Sequence, residues 1–204
     1  EVFLNQIKAI LRSGYYGDVK IMLPMITTLS EIQEAKDLIE IAKNQLRKRK
    51  ILFSDKVPIG IMIEVPATAV LSSRIAEFVD FLSIGTNDLV QYTLAIDRVD
   101  DEVNYLYDPF NSAVLTLINN VIQSGKEHGV DVSLCGEMAG DKQFTKILLG
   151  MGLKSFSMHP SAIPEVKKII VESNIKNLSK LSSQIIKCVN SREKQNLIEK
   201  INST

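Results

Sequence analysis

A parallel α/β sheet is the fold class this sequence predicts, and two observations predict it. Short apolar runs alternate strictly with longer segments of helical periodicity, and the runs themselves are apolar throughout, as strands buried on both faces are. Parallel neighbours need helical crossovers, so the two features belong together. Five strands can be counted, a number that leaves open whether the sheet is open or closed.

The first element is a helix, because Val2, Phe3, Ile7, Ile10 and Leu11 recur at helical spacing before Gly14 and Gly17 end the segment. Val19 to Pro24 is the first strand. Thr28 and Glu31 make a capping-box pattern ahead of a long helix whose inner face is Ile32, Ala35, Ile39, Ala42 and Leu46. The second strand is Ile59 to Ile63, with Glu64 just beyond it. Pro66 suits the first turn of a helix with an apolar face of Val70, Leu71, Ile75 and Phe78. Phe81 to Ile84 is the third strand and runs into Gly85-Thr86-Asn87-Asp88. An irregular stretch from about Asp97 to Ser112 precedes a helix carrying Val114, Leu117, Ile118, Val121 and Ile122, which runs out near Gly129. Asp131 to Leu134 is the fourth strand, Asp141 caps a helix bearing Phe144, Ile147 and Leu148, and Lys154 to Met158 is the fifth strand. From Pro164 onward the pattern is helical, with Ser/Asn breaks near 173 and 190. No repeat or low-complexity linker divides the chain, so it reads as one domain.

The 204 residues, 45% hydrophobic and 24% charged, suffice for a sizeable core and exclude disorder. Lys and Arg number 24 against 24 Asp and Glu, so no net field favours nucleic acid or an anionic membrane. The basic run Arg47-Lys48-Arg49-Lys50 falls between helix and strand and reads as a solvated turn. Cys135 and Cys188 form neither a CxxC motif nor a disulfide framework, which fits a reducing cytoplasm. No apolar run approaches the ~18 residues that span a bilayer, and no signal peptide is recognisable. The chain opens at Glu1, inside a helical pattern, and is expected to be a fragment of a longer protein.

Glu64, Asp88 and Cys135 each follow the carboxyl end of a strand, the side on which parallel barrels place catalytic groups. Glu64 and Asp88 are one strand-helix unit apart, so their strands are expected to be neighbours. Two such carboxylates, completed by substrate oxygens and water, suit Mg²⁺; the alternative is a pair of surface acids favoured by helix dipoles. Cys135 is either a reactive thiol or a small packed hydrophobe. Arg98 could clamp a phosphate with its planar fork, or pair with Asp97, Asp100 or Asp101. Cys188, His128 and His159 read as structural, and no P-loop, GxGxxG or Ser-His-Asp arrangement is present.

Four segments carry a resemblance: Gly60-Ile61-Met62-Ile63-Glu64-Val65-Pro66-Ala67, Phe81-Leu82-Ser83-Ile84-Gly85-Thr86-Asn87-Asp88-Leu89, Gln91-Tyr92-Thr93-Leu94-Ala95-Ile96-Asp97-Arg98 and Leu134-Cys135-Gly136-Glu137-Met138-Ala139-Gly140-Asp141. In that order and spacing they resemble the PEP-utilising enzyme family, and within it the enzyme I branch of the bacterial sugar phosphotransferase system. The likeness runs along nearly the whole chain and loosens after about residue 172. It implies a (β/α)8 TIM-type barrel, incomplete here with about five of eight strands, and phosphoenolpyruvate at the strand carboxyl ends. Glu64 and Asp88 would hold Mg²⁺, Asn87 and Arg98 would contact the phosphate, and Cys135 would protonate the enolate carbon as pyruvate forms.

The resemblance further implies a cytoplasmic homodimer that passes the phosphoryl group to a histidine on a separate N-terminal domain and then to a phosphocarrier protein. Residues 1–204 would be the C-terminal part of the barrel domain, without that N-terminal domain, the first three strands or the arginines they carry. Met158-His159-Pro160 also departs from the serine-rich turn usual at that place. A five-strand piece is expected to have two exposed sheet edges, an unfilled interior and at most weak activity alone. Pyruvate phosphate dikinase and PEP synthase share several of the motifs, although Tyr92 to Arg98 and Glu137 to Asp141 look more like enzyme I. A Mg²⁺-dependent carbon-carbon lyase and a non-catalytic dimerisation platform are the readings from other classes.

Overall fold

Local signals and long-range pairing agree in the computed structural model, which describes residues 1–204. Its strands are β1 (Ile21–Leu23), β2 (Ile59–Ile63), β3 (Phe81–Gly85), β4 (Asp131–Cys135) and β5 (Ser155–Phe156). The helices between and around them are α1 (Val2–Ser13), α2 (Leu29–Lys48), α3 (Pro66–Val70), α4 (Ser72–Ala76), α5 (Thr86–Leu94), α6 (Ser112–His128), α7 (Glu137–Gly140) and α8 (Lys142–Met151). Three more follow the sheet: α9 (Ile163–Glu172), α10 (Ile175–Lys187) and α11 (Ser191–Ser203).

All five strands are parallel and lie in chain order, β1-β2-β3-β4-β5. A doubly wound sheet reverses its order at a switch point, whereas successive strands of a (β/α) barrel advance in one direction. The sheet is therefore an arc of such a barrel, with β1 and β5 as its edges.

Register divides the arc into two unlike faces. Ile61 pairs with Leu82, Ile63 with Ile84, and Ile84 in turn with Leu134; all five are fully buried on the helix-covered face. Met62, Ser83, Ser133 and Ser155 form a second row across the opposite face, where Ser83 is nearly buried but Ser155 is exposed. Burial of the strands on both faces, expected from their apolar look, holds for β3 but is corrected for β1 and β4, where Met22 is exposed and Ser133 only half-buried. The inner face is lined by glycine, methionine and serine, residues neutral enough to hide the period-two alternation, and five strands do not wrap far enough to cover it.

A second correction concerns the helix after Pro66, which is two short helices. The chain breaks at Leu71 (φ −92, ψ 11), and the buried residues are Thr68, Ala69, Ser72, Ile75 and Ala76. Val70, Leu71 and Phe78, assigned to the apolar face along with Ile75, are 69%, 39% and 44% exposed. Small residues face α6 because the helices approach closely there, where Ser72 Oγ and Ser124 Oγ share a buried hydrogen bond of 2.9 Å. Helix α7 has no counterpart in the sequence reading, being a single turn between Gly136 and the Asp141 cap.

The C-terminal breaks fall where the sequence puts them: Asn174 caps α10 and Asn190 caps α11. Ser182 on α10 donates to Ile147 O of α8 at 3.0 Å, and Lys146 Nζ reaches Asn202 O of α11 at 3.0 Å, so these helices brace the outside of α8. No helix is long and apolar enough to cross a membrane.

Helix α2 begins with the capping box that Thr28 and Glu31 announce. Glu31 N donates to Thr28 Oγ1 at 3.4 Å, while the Glu31 carboxylate accepts from Thr28 N and Thr27 N at 2.8 Å each. Thr28→Ala should lower the unfolding free energy by ~1 kcal/mol, read as a lower denaturant midpoint at unchanged slope. The hydrogen bonds from the Thr27 backbone and side chain, then from the Thr28 backbone, draw the Glu31 pKa from its ordinary 4.5 to about 2. A depressed carboxylate stabilises above its unfolded pKa and loses that contribution as pH falls through the folded one. The stability gap between wild type and Glu31→Gln should therefore be full at neutral pH and close between pH 4.5 and about 2 in a denaturation series.

Candidate active site

Three strands end in register, and that places the chemistry. With Ile63, Ile84 and Leu134 side by side, the next position on β2 is Glu64, beside Gly85 on β3, which itself pairs with Cys135 on β4. Glu64 is only 4% exposed, and its Oε1 accepts from Met25 N at 2.7 Å. Met25 adopts φ 54, a left-handed conformation uncommon outside glycine, which accompanies the turn of its N–H toward the carboxylate just past the end of β1. A Cβ on Gly85 would lie 3.1 Å from Glu64 Oε2 and 2.9 Å from Met62 Sδ, so glycine lets the carboxylate cross the strand end.

Asp88 lies in the first turn of α5, half-buried, where the helix dipole favours a negative charge. Neither Glu64 nor Asp88 has a Lys, Arg or His partner. A carboxylate as enclosed as Glu64 without a countercharge is a poor structural ion, and the pair suits a hard divalent cation held by oxygens. No third His, Cys, Asp or Glu joins them, so protein side chains alone do not complete a metal shell. The donor set fits a cation that keeps water or substrate oxygens in its remaining positions.

Cys135 ends β4, half-buried. Its Sγ accepts from Ser83 Oγ at 3.9 Å, and its carbonyl accepts from Thr86 Oγ1 at 2.8 Å. Burial pushes the thiol pKa above its ordinary 9.0; the Ser83 hydrogen bond opposes that, and the charges of Glu64 and Asp88 add to it. The group is a thiol at neutral pH.

Gly136 follows with φ 92, and a Cβ there would collide with Thr86 Oγ1 and sit 2.8 Å from Asn87 Oδ1, so both conformation and space require glycine. Asn87 Oδ1 accepts from Glu137 N at 3.0 Å, which fixes the amide with its NH₂ donors free of protein partners. Tyr107 O–H donates to Asn87 O at 3.3 Å.

Arg98 takes none of the neighbours its sequence position offers. Asp97, Asp100 and Asp101 accept instead from Val99 N, Glu102 N and Asn104 Nδ2. The guanidinium crosses to Glu137, with Nη1 3.7 Å from Oε1, a long contact at a half-exposed arginine. Tyr107 lies beside this pair: burial raises its pKa, Arg98 opposes the rise, and Glu137 and Asp88 add to it. A cavity of about 120 Å³ adjoins the cluster, lined in part by Asn87, Tyr107, Glu137 and Phe144. A larger one of about 230 Å³ lies between α6, α8 and α10, lined by none of these residues.

All five residues singled out in the sequence therefore collect at one end of the sheet. Ser83, Thr86, Tyr107 and Met25 join them unannounced. Ser83 and Thr86 lie within a quoted segment without a signal of their own, and Tyr107 comes from the irregular stretch, where no periodicity points. His128 Nε2 meets Ser73 Oγ at 3.0 Å, His159 Nδ1 meets Ser161 Oγ at 2.8 Å, and Cys188 Sγ meets Asn190 O at 3.4 Å, and none of these contacts is to Glu64 or Asp88.

The thiol environment gives a direct test. In a Cys188→Ser background, the pH profile of Cys135 alkylation should have its midpoint above 9.0, and Glu64→Gln should move it down. A midpoint in the neutral range would contradict the arrangement.

The family model described as PEP-utilising enzyme, PEP-binding domain, matches residues 1–175. The phosphoenolpyruvate-protein phosphotransferase of Staphylococcus carnosus is 41% identical over 199 residues, 98% of this chain and 35% of that protein. Those of Listeria monocytogenes and Cupriavidus necator are 42% and 44% identical, over 98% and 94% of this chain and 35% and 33% of theirs. The chain thus spans about a third of the length of these relatives. A citrate lyase crystal structure from Burkholderia xenovorans superposes with a TM-score of 0.58 at 15% identity, covering 98% of this chain and 68% of that one, a likeness of fold alone. With the family's PEP-binding domain matched along residues 1–175, the chain belongs to the PEP-utilising enzymes.

Proposed function

We propose that this chain forms the Mg²⁺-dependent phosphoenolpyruvate site of a phosphoenolpyruvate-protein phosphotransferase and belongs to the C-terminal part of its barrel domain. The observation that carries the reading is the in-register row at the strand ends, where two carboxylates without cationic partners stand beside a thiol that keeps its proton.

Glu64 and Asp88 would hold the metal, which when bound neutralises charge between the substrate carboxylate and phosphate. Asn87 offers its free NH₂ donors to the phosphate. Arg98, whose Nη1 lies 3.7 Å from Glu137 Oε1, would add the donors of its guanidinium to the phosphate. Phosphoryl transfer passes through a loose transition state, so these fixed donors and charges carry most of the catalysis. Cys135 acts as the general acid: as the phosphoryl group leaves, the Sγ–H proton moves to the methylene carbon of the enolate, a C–H bond forms, and pyruvate departs. An acid must hold its proton until the enolate develops, and burial favours the protonated form of this thiol.

In the whole protein, the phosphoryl group goes to a histidine of another domain and onward to a phosphocarrier protein, in the cytoplasm, with homodimers as the working form. Full turnover is ascribed to that protein, since this chain spans about a third of the length of its relatives.

Calorimetric titration of phosphoenolpyruvate with and without Mg²⁺ tests the site. Binding should require Mg²⁺, and Glu64→Gln or Asp88→Asn should abolish it; heats indifferent to Mg²⁺ would sink the reading. Cys135→Ser in the intact protein should keep phosphoenolpyruvate affinity and lower kcat by roughly 10²–10⁴, the usual weight of a general acid. Undiminished turnover on a carbon-carbon bond without that thiol would point to a lyase instead.

A further inference from the structure

Ser83 is the one polar side chain of β3, set among Phe81, Leu82, Ile84 and Gly85, and it is 6% exposed. A hydroxyl so enclosed needs a partner, and the only side-chain hydrogen bond it makes is to Cys135 Sγ, at 3.9 Å. It could have turned toward the neighbouring strand, as Ser133 does when it donates to Leu82 O at 3.4 Å. Register explains the reach: Ser83 pairs with Ser133, Cys135 lies two residues further along β4, and all three side chains stand on the inner face.

We propose that Ser83 is a positioning residue for Cys135, orienting the Sγ–H bond and stabilising the sulfur after its proton has left. The proposal rests on the reading of Cys135 as the acid. When that proton moves to the substrate's methylene carbon, the Sγ–H bond breaks and its electron pair stays on sulfur as a thiolate. The Ser83 O–H already points at Sγ, and its hydrogen bond becomes charge-assisted at that moment with no reorganisation. The thiolate recovers a proton from water once pyruvate has left. On the backbone side, Thr86 Oγ1 holds the Cys135 carbonyl at 2.8 Å, so both ends of the cysteine are tied to the β3–α5 segment.

The test uses thiol reactivity, which needs neither substrate nor metal. In a Cys188→Ser background, Ser83→Ala should slow alkylation of Cys135 by iodoacetamide at neutral pH about tenfold, the effect of losing one hydrogen bond to a developing thiolate. Ser83→Thr, which keeps the hydroxyl, should restore the rate. An unchanged rate in Ser83→Ala overturns the proposal. In the intact protein Ser83→Ala should lower kcat about tenfold with KM for phosphoenolpyruvate unchanged; a raised KM at constant kcat overturns it too. If Cys135→Ser retains full turnover, the acid assignment fails by itself, and the alkylation series still reports whether Ser83 serves the thiol.

Discussion

Parallel register across β2, β3 and β4 is the constraint on which the site depends. Hydrogen bonding along these strands fixes Ile63, Ile84 and Leu134 in one row, and the row above it must then bring Glu64, Gly85 and Cys135 together. A slip of one residue in any strand would turn its site residue toward the helix-covered face, where the neighbours are fully buried isoleucine and leucine. The apolar packing of that outer face therefore secures the chemistry of the inner one.

Electrostatics follow from the row. Glu64 enters the structure without a cation and is held by one backbone donor, Met25 N, from beyond the neighbouring strand. Asp88 contributes a second uncompensated charge at the start of α5. Together with burial, the larger effect, these two charges raise the pKa of the Cys135 thiol.

The second ring of contacts is built from loops. Gly136 turns the chain sharply after Cys135, and the turn sends Glu137 N to Asn87 and the Glu137 carboxylate toward Arg98. Tyr107 closes the set from the far side. Outside the barrel arc, α10 and α11 pack on α8 and take no part in this network. The family match ends at residue 175, which is where α10 begins.

Much of this was legible in the residues alone. Strand-helix alternation, the Thr28–Glu31 capping box, the Asp141 cap and the Asn breaks near 173 and 190 are local signals, settled by a few neighbouring residues, and each appears where its chemistry places it. Glu64, Asp88 and Cys135 could be singled out because all three follow strand ends. Tertiary structure alone decided what local pattern cannot encode. It broke the helix at Leu71 so that small residues face α6, and it made one sheet face polar by setting serines in a row across three strands. It carried Arg98 past three nearer aspartates to Glu137, and it gave Ser83 its only partner in Cys135. Each of these outcomes depends on residues far apart in the chain being brought within contact distance, and strand register, not sequence spacing, sets that distance.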